Sequence, residues 1–406
     1  NGRAYGEGEI DDPQQVGVTA LDESTLEVCL EAPTAYLPYL LTQPVAYPQP
    51  HREVEPDSST RMELSQLISN GAYVLEHWQP NEYFVLTKNP YYQNSFPGNA
   101  DRVMCVVLTE FESALKSYAE GLIDALALFN ADPGTIERAH TEFGNELVSI
   151  PYPTVLYLAF RTDAPPFDNL EVRKAFVHAI NRVELAEHAF HGLRKPALGG
   201  FIPPGLPGHS PTIGLPYDPN LARQLLAQAG FSNGRGFPSV SWVHGRSSSG
   251  QRVVTYLRDA WQQILGLDLI PASIGEFSAF MDRAINDPAQ LTLLGWGADF
   301  PDPDTMLRTT FHSVEGRNIP RWHNRSYDTL VDEAGRVSDQ GKRVSLYQQA
   351  DRILVAEQAV VMPISYAEGR WLVKPWVRLP PMLSIQLPLK NVIMKGGAIE
   401  IDRNPY

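Results

Sequence analysis

The sequence predicts a soluble α/β protein of two to three domains, and three observations carry that prediction. Helical and strand-like segments alternate from about residue 155 to 365, the pattern of α/β layers around a mostly parallel sheet. A length of 406 residues, at about 150 per domain, gives two to three folding units with ample core, so no disulfide or metal staple is needed. Prolines number 34, about 8% against a usual ~5%, which favours fixed connections between short elements over a long helical bundle. Hydrophobic residues at 43% and charged residues at 20% exclude a disordered or fibrous chain. Lysine and arginine total 33 against 47 aspartates and glutamates, and the resulting net charge of −14 argues against general binding of nucleic-acid backbones or anionic membranes. No apolar run approaches the ~20 residues needed to span a bilayer.

Taken in order, segment 25–31 alternates strictly, with Leu26, Val28 and Leu30 on one face, and reads as a half-buried strand. Segments 72–78 and 83–87 flank Gln79-Pro-Asn-Glu82 and predict a hairpin. Residues 112–120 form a short helix candidate that stops at Gly121, and 155–160 is an apolar run that reads as a buried strand. The region before about 150 is richer in strands and turns. Asp168 is placed to cap a helix whose apolar face is Val172, Phe176, Ala179, Ile180 and Val183, with Glu171 set for a capping box. Asp218 and Pro219 open another helix as N-cap and first-turn proline, and Gly230 ends it. Val253, Leu257, Trp261 and Ile264 keep helical spacing up to Gly266; Tyr327, Leu330, Val331, Ala334 and Val337 do the same, as do Val344, Tyr347 and Leu354. Short strand candidates at 240–243, 267–270, 290–294 and 360–366 lie between these helices. Cys29 and Cys105 sit in strand-like runs and read as unrelated free thiols, too few for a disulfide framework or a four-thiolate zinc site.

The search for catalytic or metal chemistry comes up empty. His188 and His191 are three apart near a helix end, but no carboxylate or thiolate joins them at zinc-motif spacing. Gly245-Arg-Ser-Ser-Ser-Gly250 has the glycine spacing of a phosphate loop, yet Gln251 and Arg252 follow where lysine and a hydroxyl are required. Asp299, Asp302 and Asp304 fail as a calcium loop: Pro301 and Pro303 stiffen it, and Thr310 stands where the bidentate glutamate belongs. No Gly-x-Ser-x-Gly elbow is present. What stands out is Gly295-Trp-Gly-Ala-Asp299, directly after a strand, where open α/β sheets place their ligand crevice. Its small residues expose backbone amides and carbonyls, Trp296 offers an apolar plate and Asp299 one negative charge, a combination suited to an extended ligand with a cationic end. A turn with a surface aspartate is the alternative on chemistry alone. Leu293 and Leu294 precede the motif, so no neighbouring cation is available there for a ligand carboxylate.

These segments, in their order, resemble the bacterial extracellular solute-binding proteins of family 5, the oligopeptide-, dipeptide- and nickel-binding components of ABC importers. The stretches that carry the resemblance begin with Val16-Gly-Val-Thr-Ala-Leu-Asp-Glu-Ser-Thr-Leu-Glu-Val28, Asn70-Gly-Ala-Tyr73, Lys88-Asn-Pro-Tyr-Tyr92 and Tyr118-Ala-Glu-Gly-Leu-Ile-Asp124. They continue through Pro166-Phe-Asp168, Val172-Arg-Lys-Ala175, Ile180-Asn-Arg182, Ile202-Pro-Pro-Gly205, Tyr217-Asp-Pro219, Leu225-Leu-Ala-Gln-Ala-Gly230, the 295–303 motif and Leu372-Val-Lys-Pro-Trp-Val377.

The resemblance implies an α/β, periplasmic-binding-protein-like two-lobe fold of class II, peptide-binding type, with the ligand cleft between the lobes. Residues 1–153 would form the remainder of the first lobe, 154–362 the second, and 363–406 the return to the first, with hinge crossings at 150–153 and 363–366. Asp299 falls on the aspartate that pairs with the ligand's α-ammonium in peptide-binding members. Trp296, Gly297 and Ala298 join it as expected ligand contacts, together with Asn130, Tyr152 and Tyr366. The implied function is capture of an oligopeptide or dipeptide and its delivery to an ABC permease, in an extracellular or periplasmic location, free or lipid-anchored in the full-length protein. No cofactor, metal or nucleic-acid partner is expected. The alternatives are a ligand-sensing domain of a transcriptional regulator with the same fold, or a binder of an oligosaccharide or metal chelate. The chain resembles a member without its amino-terminal part. On that reading, open sheet edges at 25–31 and at the 79–82 hairpin, reduced stability and a tendency to associate are expected.

Overall fold

The computed structural model describes residues 2–6, 8–48, 68–129, 131–380 and 387–395. Among these, seven strands form the main sheet. Their spatial order is Ala272–Ile274, Trp242–Gly245, Leu291–Gly297, Leu147–Phe160, Val361–Val373 and Ala125–Ala127, with Arg194–Pro196 paired to Val361–Val373 off that path. Trp242–Gly245 is parallel to both neighbours, whereas every pairing of the two long strands is antiparallel. The sheet is therefore mixed rather than mostly parallel. Strands covered on both faces read as apolar runs whichever way they point, so the sequence pattern does not carry their direction.

Alternation along the long strand assigns the two faces. Val155, Tyr157 and Ala159 meet Phe280, Met306, Phe311, Tyr327, Val331 and Tyr347 from the helices Phe277–Asn286, Asp304–Phe311, Arg325–Arg336 and Gln340–Arg352. Leu158 and Phe160 meet Val172, Phe176, Leu185, Leu226, Leu257 and Trp261 from Leu170–His178, Arg182–Phe190, Pro219–Gln228 and Ser248–Leu265. The buried Trp261 donates its indole N–H to the Phe176 carbonyl at 3.0 Å, joining two helices of that layer. The expected caps at Asp218 and Gly266 are present: Asp218 accepts from the Asn220 and Leu221 amides, and Gly266 takes the left-handed conformation with φ 72°.

Two local expectations shift. The cap before Leu170–His178 is Asn169, not Asp168; its side chain accepts from the Glu171 and Val172 amides, which leaves Glu171 one position short of a capping box. The helix also stops before Val183, which is 55% exposed, because Asn181 caps a second helix, Arg182–Phe190, through the Glu184 amide. Short polar side chains compete for backbone donors in this way. The strand expected at 267–270 forms instead at Ala272–Ile274.

Toward the amino end, the predicted hairpin is Tyr73–Gln79 with Tyr83–Lys88, extended by Arg102–Val106 into a three-stranded antiparallel sheet. The strand expected at 25–31 narrows to Leu26–Val28, paired with Val18–Ala20, and its apolar side is exposed rather than half-buried, Leu26 by 66%. Cys29 and Cys105 are free thiols in separate parts of the chain. Helices Phe111–Ala119 and Pro133–Phe143 pack on Leu126 and on Leu372 of the last long strand. The closing segment stays with this region: Gly98 donates its amide to the Lys390 carbonyl, and Lys390 Nζ lies 2.8 Å from the Tyr92 hydroxyl.

One buried carboxylate gives a pH prediction. Asp351 is fully buried and accepts from the Phe201 and Ile202 amides at 2.8 and 3.3 Å; a Cβ on Gly200 would lie 1.9 Å from its Oδ2. Burial pushes its pKa from 3.8 up to about 7, with the two amide hydrogen bonds pulling the other way. Between those values the folded chain holds a proton that the unfolded chain has released, so this contribution to stability declines as pH rises through the window. Asp351→Asn should therefore gain melting temperature relative to wild type between pH 4 and pH 7. Parallel curves for the two proteins would remove Asp351 as the titrating group.

Candidate functional site

The segment singled out in the sequence sits where the sheet pattern changes. Leu291–Gly297 pairs with Trp242–Gly245 only as far as Leu293, but with Leu147–Phe160 through Gly297 opposite Thr154. Beyond Leu293 this strand thus has, among the described residues, a neighbour on one side only. Gly295 is exposed, and a Cβ there would meet nothing closer than the Val155 carbonyl at 4.0 Å, so packing does not demand a glycine. The buried Ala298 donates its amide to the Pro153 carbonyl at 2.8 Å, tying the end of the motif to the 150–153 crossing.

At that crossing the two long strands lose register. Val361 to Tyr366 face Ala159 to Val155 with Ile364 as an extra residue, Glu368 to Leu372 face Pro151 to Leu147, and the ladder shifts between Pro363 and Ser365 and again between Tyr366 and Glu368. Three residues of one strand, 152–154, lie against one of the other, a bulge of the kind that bends a strand pair.

The three aspartates of the motif take different environments. Asp302 is buried and forms two bonds to Arg343, itself 1% exposed, at 2.8 and 3.0 Å. Asp304 accepts from the Tyr347 hydroxyl at 2.7 Å and from Arg308 Nε at 3.1 Å; burial raises its pKa while Arg308 opposes the shift. Asp299 is exposed. Its Oδ2 accepts from the Thr305 hydroxyl at 3.2 Å, its carbonyl accepts from Gln43 Nε2 at 3.2 Å, and no cation lies within ion-pair distance among the described residues. Next to it, Phe300 is buried and stacks with the rings of Tyr36 and Tyr39, so segment 36–43 covers this end of the motif.

Trp296 is half-buried, donates its indole N–H to the Thr305 carbonyl at 2.9 Å, and carries the Arg317 guanidinium 4.7 Å above its ring. The cation arrives not from the residues before the motif but from the turn after Asp304–Phe311, through the fold, which linear spacing does not reveal.

Of the other expected contacts, Tyr152 is half-buried against Phe129 at the crossing, and burial raises its pKa. Tyr366 is 4% exposed and donates its hydroxyl to the Gly200 carbonyl at 2.6 Å, which places it in the packed interior beside the crossing. Asn130 lies outside the described residues.

Among the described residues one group of potential metal ligands comes together, His312, Glu315 and Asp332. Arg308 already bonds Glu315 and Asp332 at 2.7 and 2.8 Å, so the cluster works as an ion-pair network around a fixed cation. No helix among the described residues is long and apolar enough to cross a membrane.

Comparison with known proteins accords with this geometry. The family model of bacterial extracellular solute-binding proteins, family 5 (middle region), matches residues 1–318. The probable deoxycholate-binding periplasmic protein YgiS of Escherichia coli K12 is 28% identical, over 90% of this chain and 68% of its own. The periplasmic oligopeptide-binding protein OppA of the same organism is 26% identical, over 89% and 67%. The unliganded open form of the periplasmic murein tripeptide binding protein MppA superposes with a TM-score of 0.76 at 26% identity, over 97% of this chain and 75% of that one.

Proposed function

The chain belongs to the bacterial extracellular solute-binding proteins of family 5, and on that premise we propose that it captures a short peptide between two lobes and delivers it to the permease of an ABC importer. The family is one of binding proteins rather than enzymes, and its relatives are periplasmic. The observation that carries the peptide reading is the exposed Asp299 at the end of a strand that beyond Leu293 has, among the described residues, a neighbour on one side only. A peptide can lie along such an edge through its main chain, with its ammonium on the aspartate, and be held without its sequence being read. Trp296, Gly297 and Ala298 are assigned to the floor and Tyr152 to its crossing side, with the buried Tyr366 packed behind the crossing. Mass spectrometry of solute released from the purified protein tests this: peptides of a few residues are expected, and a steroid, sugar or metal chelate in their place would overturn the reading.

The proposed lobes are 1–153 with 363–406, and 154–362. The division is supported by the two large cores, drawn from 154–362 apart from Ile364 and Tyr366 at the return crossing, by the separate core joining Leu126 to Leu372, and by the loss of register at 152–154. The hinge lies at 150–153 and 363–366, and closure about such crossings is a known repertoire. Small-angle scattering should show a smaller radius of gyration with saturating peptide than without it. An unchanged radius at demonstrated saturation would rule out a closing hinge.

A further inference from the structure

Thr305 joins two members of the motif without reaching the surface. It is the second residue of the helix Asp304–Phe311 and is fully buried. Its carbonyl accepts from the Trp296 indole N–H at 2.9 Å. Its hydroxyl donates to Asp299 Oδ2 at 3.2 Å and accepts from the Asp299 amide at 3.4 Å. A hydroxyl has one proton to give. The amide can only donate and the ionised carboxylate only accept, so that proton is committed to Oδ2.

The chain between these two residues is held along its length. Phe300 is buried against Tyr36 and Tyr39, and Pro301 and Pro303 fix their own φ. Asp302 is bound by Arg343 and accepts from the Asp304 amide at 3.0 Å, and Asp304 is bound by Tyr347 and Arg308. Thr305 is therefore a fixed point. The Asp299 carboxylate is exposed, and the Thr305 hydroxyl is its only anchor among the described residues. Its other oxygen, Oδ1, accepts from no group among them.

We infer that Thr305 is a positioning residue for solute binding: its hydroxyl holds the Asp299 carboxylate in one orientation by Oδ2 and leaves Oδ1 for the solute's ammonium. An exposed carboxylate without such an anchor samples several rotamers, and docking the ammonium would have to immobilise it. Thr305 fixes it already on folding. Because the same residue accepts from the Trp296 indole, the apolar plate and the negative charge are set from one buried position. The inference rests on the reading of Asp299 as the ammonium partner and adds the group that presents its carboxylate.

The test is calorimetry with trialanine and N-acetyl-trialanine on wild type, Thr305→Val and Thr305→Ser. Thr305→Val keeps the branched shape and removes the hydroxyl; it is expected to weaken trialanine about three- to tenfold and to leave the acetylated peptide unaffected. Thr305→Ser keeps the hydroxyl and loses a buried methyl, so it should bind trialanine as wild type does although its melting temperature falls. Thr305→Ala, set against Thr305→Ser, isolates the same hydroxyl without the added branch of valine. A merely structural role would weaken both peptides alike and would make Thr305→Ser follow its lost stability. If acetylation weakens wild-type binding, but removing the hydroxyl weakens both peptides equally or neither, the role of Thr305 is overturned and the reading of Asp299 stands. If trialanine does not bind, or acetylation leaves wild-type binding unchanged, the reading of Asp299 falls and this inference falls with it.

Discussion

Asp302→Ala is expected to lower the melting temperature by on the order of 10 °C. The carboxylate holds Arg343 in two hydrogen bonds, and both side chains are nearly inaccessible to water, at 4% and 1%. Removing one partner of such a pair strands the other charge and costs about 3–5 kcal/mol. Arg343 would keep only neutral acceptors, the Ala334 carbonyl at 2.9 Å, Gln340 Oε1 at 3.3 Å and the Tyr347 hydroxyl at 3.4 Å. The penalty belongs to the stranded charge rather than to the lost bonds, so Asp302→Leu combined with Arg343→Met should recover most of it. Calorimetric melting of the single and double variants decides the matter: a single variant as stable as wild type, or a double variant no better than the single, would show that burial does not isolate this pair.

How far the sequence exposed this architecture depended on the range of the interactions concerned. Caps are local, and Asp218 with Pro219, Gly230 and Gly266 were readable because one side chain or one backbone conformation ends a helix. The hairpin at 79–82 was readable for the same reason, since Asn81 takes the positive φ that its turn needs. The break between Leu170–His178 and Arg182–Phe190 was hidden, because Val172, Phe176, Ala179 and Ile180 keep helical spacing up to it, and only the competing cap of Asn181 ends the run. Segment 25–31 has the alternation of a half-buried strand, yet alternation says which residues share a face and not whether anything covers it; Leu26, Val28 and Leu30 are all exposed. The site divides in the same way. Asp299 and Trp296 could be found as a contiguous motif after a strand, whereas Arg317 reaches Trp296 only once the Asp304–Phe311 helix has packed, and no spacing rule points to it.

Asp299→Asn should have the opposite signature to Asp302→Ala, although the two aspartates are three residues apart. Asp299 is exposed, and its carboxylate accepts only from the Thr305 hydroxyl among the described residues, so its loss should leave the melting temperature almost unchanged. Its expected effect is on binding. When the lobes close on a peptide, the α-ammonium leaves water, and a charge-assisted hydrogen bond to this carboxylate contributes ~1.5–3 kcal/mol, roughly a ten- to hundredfold gain in affinity. Asparagine preserves the shape and one acceptor but not the charge, so at least tenfold weaker binding is expected. Acetylating the peptide's amino terminus removes the other half of the pair and should weaken wild-type binding to a similar degree. The two changes act on one interaction, so acetylation should add little further loss in Asp299→Asn. Calorimetry on this double cycle measures the coupling directly. Losses that simply add would mean that the ammonium has another partner. Full coupling with an unshifted melting curve would assign Asp299 to the ligand and leave Asp302 to the fold.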